Sequence, residues 1–303
     1  RMRIKLLFLF SISLALSSFA KNKKSKPNVI LFLIDDLGWS DIGVNGSTFY
    51  ETPVIDQMAK DGALFTDAYA ASPVCSPSRA SILTGKYPSR INVSYISGTT
   101  GPKGKEYKLT APQTDGFIAF DETSMAEALR EHDYKTVHIG KWHLQNHPDN
   151  HGFDLNIAGF RMGQPGSYYF PFKSERHPST NVPGLEDGKK GDYLTDTLTD
   201  KAISFIKQNK DQPFFINFWY YTVHTPIQPK REKLEKYQKK AEALGYTQKH
   251  DDGIPVWNSI TRRRQDSPAY ACMVESMDEN IGRILQTLKS LNLEKDTLVI
   301  FFF

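Results

Sequence analysis

The chain has 303 residues, 39% of them hydrophobic and 12% aromatic, enough for one large domain with its own core and too much for a disordered chain. A formal charge of +4 is too mild to mark a nucleic-acid binder, although a polyanionic substrate would not be repelled. Two cysteines in a domain of this size do not make a disulfide framework.

At the N-terminus, Arg3 and Lys5 precede an apolar run from Leu6 to Leu16 and then Ser17-Ser18-Phe19-Ala20. The pattern predicts a signal peptide over residues 1–20, a basic linker over 21–27 and a catalytic-sized domain over 28–303. The run is short for a membrane span, so an exported protein, periplasmic or secreted and without a stable membrane anchor, is expected.

Val29–Ile34 is a continuous apolar run of the kind buried on both faces of a parallel sheet. Thr52 followed by Pro53 opens a helix with a cap and a proline at its first position. Ala63–Tyr69 reads as a second strand, leading to a helix that starts near Cys75, carries Pro77 in its first turn and stops at Gly85. Ser124–His132 reads as an amphipathic helix capped by Thr123, and Lys135–Ile139 as a strand. Asp192–Lys207 is a predicted helix, Phe214–Tyr221 a strand, Ala269–Leu291 a long helix holding Cys272 in the core, and Leu298–Phe303 a last strand. The alternation predicts an α/β fold: a doubly wound, mainly parallel sheet with helices on both faces. Gly98–Phe120 and Gly159–Gly191, rich in Gly, Pro, Lys and aromatics, read as long active-site loops. The charged helix Lys230–Leu244 and the stretch running to Arg264 read as an insertion or lid.

Ligands of such sheets bind beyond the carboxyl ends of the strands. The residues expected there are Asp35-Asp36, Cys75 with Arg79 one helical turn on, Gly140-Lys141-Trp142-His143, and His224-Thr225-Pro226. Adjacent carboxylates repel unless a cation holds them, and hard oxygen donors suit Ca²⁺ or Mg²⁺. Taken singly, Lys141, His143 and His224 read as ordinary loop residues; their conjunction with Cys75 gives them meaning.

Cys75-Ser76-Pro77-Ser78-Arg79, followed by Thr84-Gly85, resembles the signature of the type I sulfatases, within the alkaline phosphatase superfamily. The resemblance extends to Asp35, Asp36 and Gly38, to Gly140–His143, to His224, and to the helix Tyr270–Leu285 with Asp278, Gly282 and Arg283. It implies that Cys75 is oxidised to formylglycine (3-oxoalanine) by a maturation enzyme, and that the hydrated aldehyde attacks sulfur. It further implies that Asp35, Asp36 and residue 75 meet a divalent cation, that Arg79 steadies the nucleophile, and that Lys141 binds sulfate oxygen. His224 is the implied general acid and His143 the implied base.

The implied substrate is an aryl sulfate or a sulfated carbohydrate. Tyr95, Tyr168-Tyr169-Phe170, Trp257 and Arg262-Arg263-Arg264 are expected to favour a glycan, with no nucleic-acid partner. Sulfatases usually continue past the last strand with Ser-Asp-Asn-Gly and a smaller C-terminal domain. The chain is therefore expected to be cut inside its catalytic domain, and to be inactive or nearly so as it stands. The alternatives are a phosphate or phosphonate monoester hydrolase of the same superfamily and a binding-only fragment.

Overall fold

In the computed structural model the described residues are 26–96, 108–109, 114–246, 254–256 and 259–303. The expected signal peptide, nearly all of the linker, Trp257 and much of the loop over Gly98–Phe120 lie outside them. In chain order the main elements are β1 (Asn28–Ile34), α1 (Pro53–Asp61), α2 (Cys75–Thr84), α3 (Met125–Arg130), β2 (Lys135–Gly140) and β3 (Leu155–Ile157). Then follow α4 (Leu194–Gln208), β4 (Phe214–Tyr220), α5 (Arg231–Ala243), β5 (Ile254–Val256), β6 (Ser259–Thr261), α6 (Pro268–Ser290) and β7 (Thr297–Phe302).

Five strands form one wholly parallel sheet in the order β3-β2-β4-β1-β7. Because strand side chains alternate between faces, each apolar strand feeds two cores. Ile30, Phe32 and Ile34 join Ile216, Phe218 and Tyr220 on the face covered by α1, α4, α5 and α6. Leu31, Phe215 and Trp219 point the other way, onto Ala80 and Leu83 of α2 and Ala126 of α3. The doubly wound α/β sheet with helices on both faces is therefore present. Cys272 is a free, buried thiol of α6, pushed up to about 12 by burial.

Several local expectations are corrected. No strand forms over Ala63–Tyr69; these residues run in bends and turns and are exposed. Their apolar spacing is strand-like, but a strand exists only where a neighbour takes up its hydrogen bonds, and none does among the described residues. Helix α3 is capped by Ser124 and not by Thr123, in a reciprocal pair with Glu127: Glu127 N–H donates to Ser124 Oγ at 3.1 Å, and Ser124 N–H to Glu127 Oε2 at 2.7 Å. Thr52 gives α1 no side-chain cap; instead the Asp278 carboxylate, from α6, accepts from Val54 N–H (3.0 Å) and Ile55 N–H (2.9 Å). The short β3 and the β5–β6 hairpin had no counterpart in the sequence reading.

Candidate active site

The sheet sets the site by extending its ladder beyond the strands. Asp35 N–H donates to Thr222 O (3.2 Å) and Val223 N–H to Asp35 O (2.9 Å), which brings the segment leading to His224 beside Asp35. Lys141 N–H donates to Trp219 O at 2.8 Å, so the end of β2 reaches the same edge. Cys75, without a strand before it, arrives on the first turn of α2, whose N-terminus carries no side-chain cap. Ser76 Oγ donates to His143 O at 2.8 Å and ties that turn to the end of β2.

At the centre lies a buried ionic triad. Arg79 Nη2 donates to Asp35 Oδ1 at 2.7 Å, and Lys141 Nζ donates to Asp35 Oδ2. All three side chains are at most 5% exposed. Arg79 Nη1 also donates to Lys141 O (2.9 Å), and its guanidinium lies 4.9 Å from the Trp219 ring centre. Burial pushes the Asp35 carboxyl up, yet Lys141, Arg79 and His224 together hold it below the usual carboxylate range. One buried carboxylate beside two cations leaves excess positive charge, which a further anion would neutralise. That charge is presented to residue 75: Lys141 Nζ is 3.3 Å from Cys75 Sγ. Arg79, expected to reach over Cys75, is bound to Asp35 and the Lys141 carbonyl, so Lys141 is the cation that touches the thiol.

Asp36, at φ 59° and with its side chain 60% exposed, places Oδ2 3.6 Å from His224 Nε2. His224 Nδ1 is 2.9 Å from Thr225 O, so each ring nitrogen faces an oxygen. His143, at φ 57°, packs its ring on the backbone of Gly163, and its Nδ1 is buried without a partner. Burial, then Lys141 and Arg79, push His143 down to about 3, so the ring is neutral at physiological pH.

A protein-family profile described as Sulfatase matches residues 27–302. The chain belongs to the sulfatase family. It is 32% identical over 308 residues to the N-acetylgalactosamine-6-sulfatase of Mus musculus, covering 95% of this chain and 52% of that protein. The Homo sapiens enzyme of the same name is 32% identical over 302 residues, covering 93% and 50%. Among solved structures, Ps i-CgsB superposes with a TM-score of 0.67 at 31% identity, over 91% of this chain and 58% of that one. A second structure of Ps i-CgsB, in complex with k-i-k-neocarrahexaose, gives the same TM-score at 30% identity, again over 91% of this chain and 58% of that one. The chain spans about half the length of the curated relatives it matches.

Asp35, Cys75 and His224 each offer a ligand atom, all within 4.8 Å of one another. The set differs from the expected Asp35, Asp36 and Cys75: Asp36 stands at its rim, 3.6 Å from His224. Two adjacent carboxylates fit one side of a hard cation, while a full shell of 6–8 oxygens needs donors beyond those named here.

Beside the cluster a cavity of about 370 Å³ opens, with His143 and His224 on one wall and Met162, Gln164, His177 and Thr180 on the other. The second wall belongs to the loop over Gly159–Gly191. That loop is anchored from within. Tyr168, fully buried, donates its hydroxyl to His224 O (2.9 Å) and its N–H to Gln228 Oε1 (2.6 Å). Tyr168, part of the aromatic run expected to favour a glycan, is thus a buried brace behind His224. The basic run is partly neutralised, since Arg262 and Arg264 both pair with Asp266. Gly163, Gln164 and His177 were missed in the sequence because no motif marks them; only the loop as a whole was legible. Among the described residues no helix is long and apolar enough to cross a membrane.

Proposed function

We propose that the protein hydrolyses sulfate monoesters borne on a glycan, with residue 75, matured from cysteine to formylglycine, as the nucleophile. The observation that carries this reading is the buried Arg79–Asp35–Lys141 triad, net positive and in contact with Cys75 through Lys141. A sulfate ester is a poor electrophile whose charge must be compensated before anything attacks it. Lys141 would take a sulfate oxygen, its ammonium held by Asp35 and its backbone carbonyl by Arg79. Asp35 and Asp36 would hold Ca²⁺ or Mg²⁺, which when bound adds charge neutralisation and acidifies a hydroxyl beside it. His143, neutral and with its Nδ1 unpartnered, would accept the proton; its backbone carbonyl is tied by Ser76 to the turn that carries residue 75. His224, whose backbone carbonyl accepts from Tyr168, would give a proton to the departing alcohol oxygen.

The glycan assignment rests on the two N-acetylgalactosamine-6-sulfatases at 32% identity and on the oligosaccharide-bound Ps i-CgsB. Export, a catalytic domain over residues 28–303 and service by a maturation enzyme complete the proposal.

The test, made on the full-length protein, combines peptide mass spectrometry at residue 75 with turnover of p-nitrophenyl sulfate, p-nitrophenyl phosphate and N-acetylgalactosamine 6-sulfate. The expected result is aldehyde at 75 and preference for the sulfates. Preferred cleavage of the phosphate would replace this reading with phosphate-ester hydrolysis. Full conversion at 75 without any turnover would leave a binding protein.

A further inference from the structure

The geometry points to Gln164 and His177 as the specificity-determining pair of this site, holding the uncharged hydroxyl or amide groups of the sugar unit that carries the scissile sulfate. This inference rests on the sulfatase reading above. If His224 protonates the departing oxygen, the alcohol portion of the substrate extends into the space that His224 and His143 share, which is the 370 Å³ cavity. That volume is near the lower end of the range of about 300–1,000 Å³ for small-ligand sites, so it suits one ring-sized group better than a long segment.

The wall facing the histidines has the chemistry of a neutral sugar site. Gln164 offers an amide donor and acceptor, His177 an imidazole, and Met162 an apolar surface. Among the described residues neither the Gln164 amide nor the His177 ring has a hydrogen-bond partner of its own. Among the described residues no lysine, arginine, aspartate or glutamate lines the cavity. A second sulfate or a uronate there would find no lysine or arginine among the described lining residues, whereas hydroxyl and acetamido groups would find matching donors and acceptors.

The wall is also preorganised. Gly166 N–H donates to Thr180 O (2.7 Å), Val182 N–H to Phe172 O (3.2 Å) and Thr180 Oγ1 to His177 O (2.7 Å). Buried Tyr168 and Phe172 pin the loop to the core. Side chains on a braced loop can discriminate, because little freedom is lost when they bind.

The experiment separates sugar recognition from sulfate chemistry. The Cys75→Ala protein, which cannot be matured, is titrated calorimetrically with inorganic sulfate, N-acetylgalactosamine 6-sulfate and N-acetylgalactosamine 4,6-disulfate. The 6-sulfate should bind at least about tenfold more tightly than sulfate itself, as one or two extra hydrogen bonds allow, and the disulfate more weakly than the monosulfate. Adding Gln164→Ala or His177→Ala should each remove about tenfold of that gain. In the mature protein the same substitutions should raise KM for the sugar sulfate more than for p-nitrophenyl sulfate, with circular dichroism confirming the fold. Equal affinity for sulfate and sugar sulfate, or variants that leave the sugar KM in place while p-nitrophenyl sulfate is turned over, overturns this inference alone. Absence of both sulfate binding and sulfate hydrolysis overturns the sulfatase reading and this inference with it.

Discussion

Gly163 and His143 occupy adjoining space so closely that a Cβ at position 163 would lie 2.3 Å from His143 Cε1 and 2.5 Å from Nδ1. Any side chain at 163 forces the ring or the loop that carries it to shift. The conformation of the His143 side chain is thus set by a residue 20 positions away on a different loop.

Gly163→Ala should therefore act on turnover far more than on folding. Displacing a proton acceptor by about 1 Å can cost on the order of 10²-fold in rate. We expect kcat on p-nitrophenyl sulfate to fall by about that factor, with a melting midpoint close to that of the wild type. An unchanged kcat would show that His143 takes no part in the rate-limiting proton transfer.

Asp35 and Asp36 are neighbours in sequence and opposites in stability. Asp35→Ala strands the buried Arg79 and Lys141 without their shared carboxylate, a change of the kind that costs about 3–5 kcal/mol. Asp36→Ala removes a largely exposed carboxylate and should shift unfolding little, although activity should suffer in both. Chemical denaturation of the two variants makes the comparison, and equal midpoints would contradict the triad's structural role.

His138 predicts an acid-side loss of stability. It is fully buried among Trp142, Phe153 and Trp219; Nε2 donates to Gly140 O at 3.2 Å while Nδ1 accepts from Asn217 at 3.0 Å. Burial pushes it down to about 3 from 6.5, so between those values only the unfolded chain carries the extra proton. The stabilising contribution is present above pH 6.5 and lost as pH falls toward 3, with a slope of up to about 1.4 kcal/mol per pH unit. His143 adds in the same direction. Asp278, raised by burial to about 6 from 3.8, opposes it within that narrower window, since there the folded state holds more protons. Subtracting the pH profile of His138→Gln from that of the wild type isolates the histidine, and a flat difference would refute the assignment.

Asp278 should matter as a cap supplied from outside its helix. Asp278→Ala leaves the Val54 and Ile55 N–H groups without acceptors and should destabilise by about 1–3 kcal/mol, with Asp278→Asn milder. Urea denaturation reads both, and a neutral alanine variant would mean that water replaces the carboxylate at no cost.

What the sequence disclosed and what it withheld follow from locality. The strands β1 and β4 were legible because burial on both faces forces runs that are almost wholly apolar, such as Phe214–Tyr220 with Asn217 as its one polar residue. The approach of Asp35, Lys141 and His224 followed from the strand-end rule, and Cys75 and Arg79 from a contiguous motif. Ala63–Tyr69 misled because its spacing is local whereas strand pairing is not. The Asp278 cap and the Gly163 seat were invisible for the same reason: each joins residues whose separation in the chain says nothing of their separation in space. Thr123 and Ser124 differ by one position, and only the reciprocal bonds with Glu127 decide between them.

The double character of the loop over Gly159–Gly191 carries a consequence for how such a protein can diversify. Its inward side chains, Tyr168 and Phe172, are committed to the core and to the His224 backbone, while Gln164 and His177 face the open cavity and hold nothing else in place. Selection can exchange the second group without disturbing the first. What the cavity admits can therefore change by few substitutions at its rim, with the buried triad inherited intact.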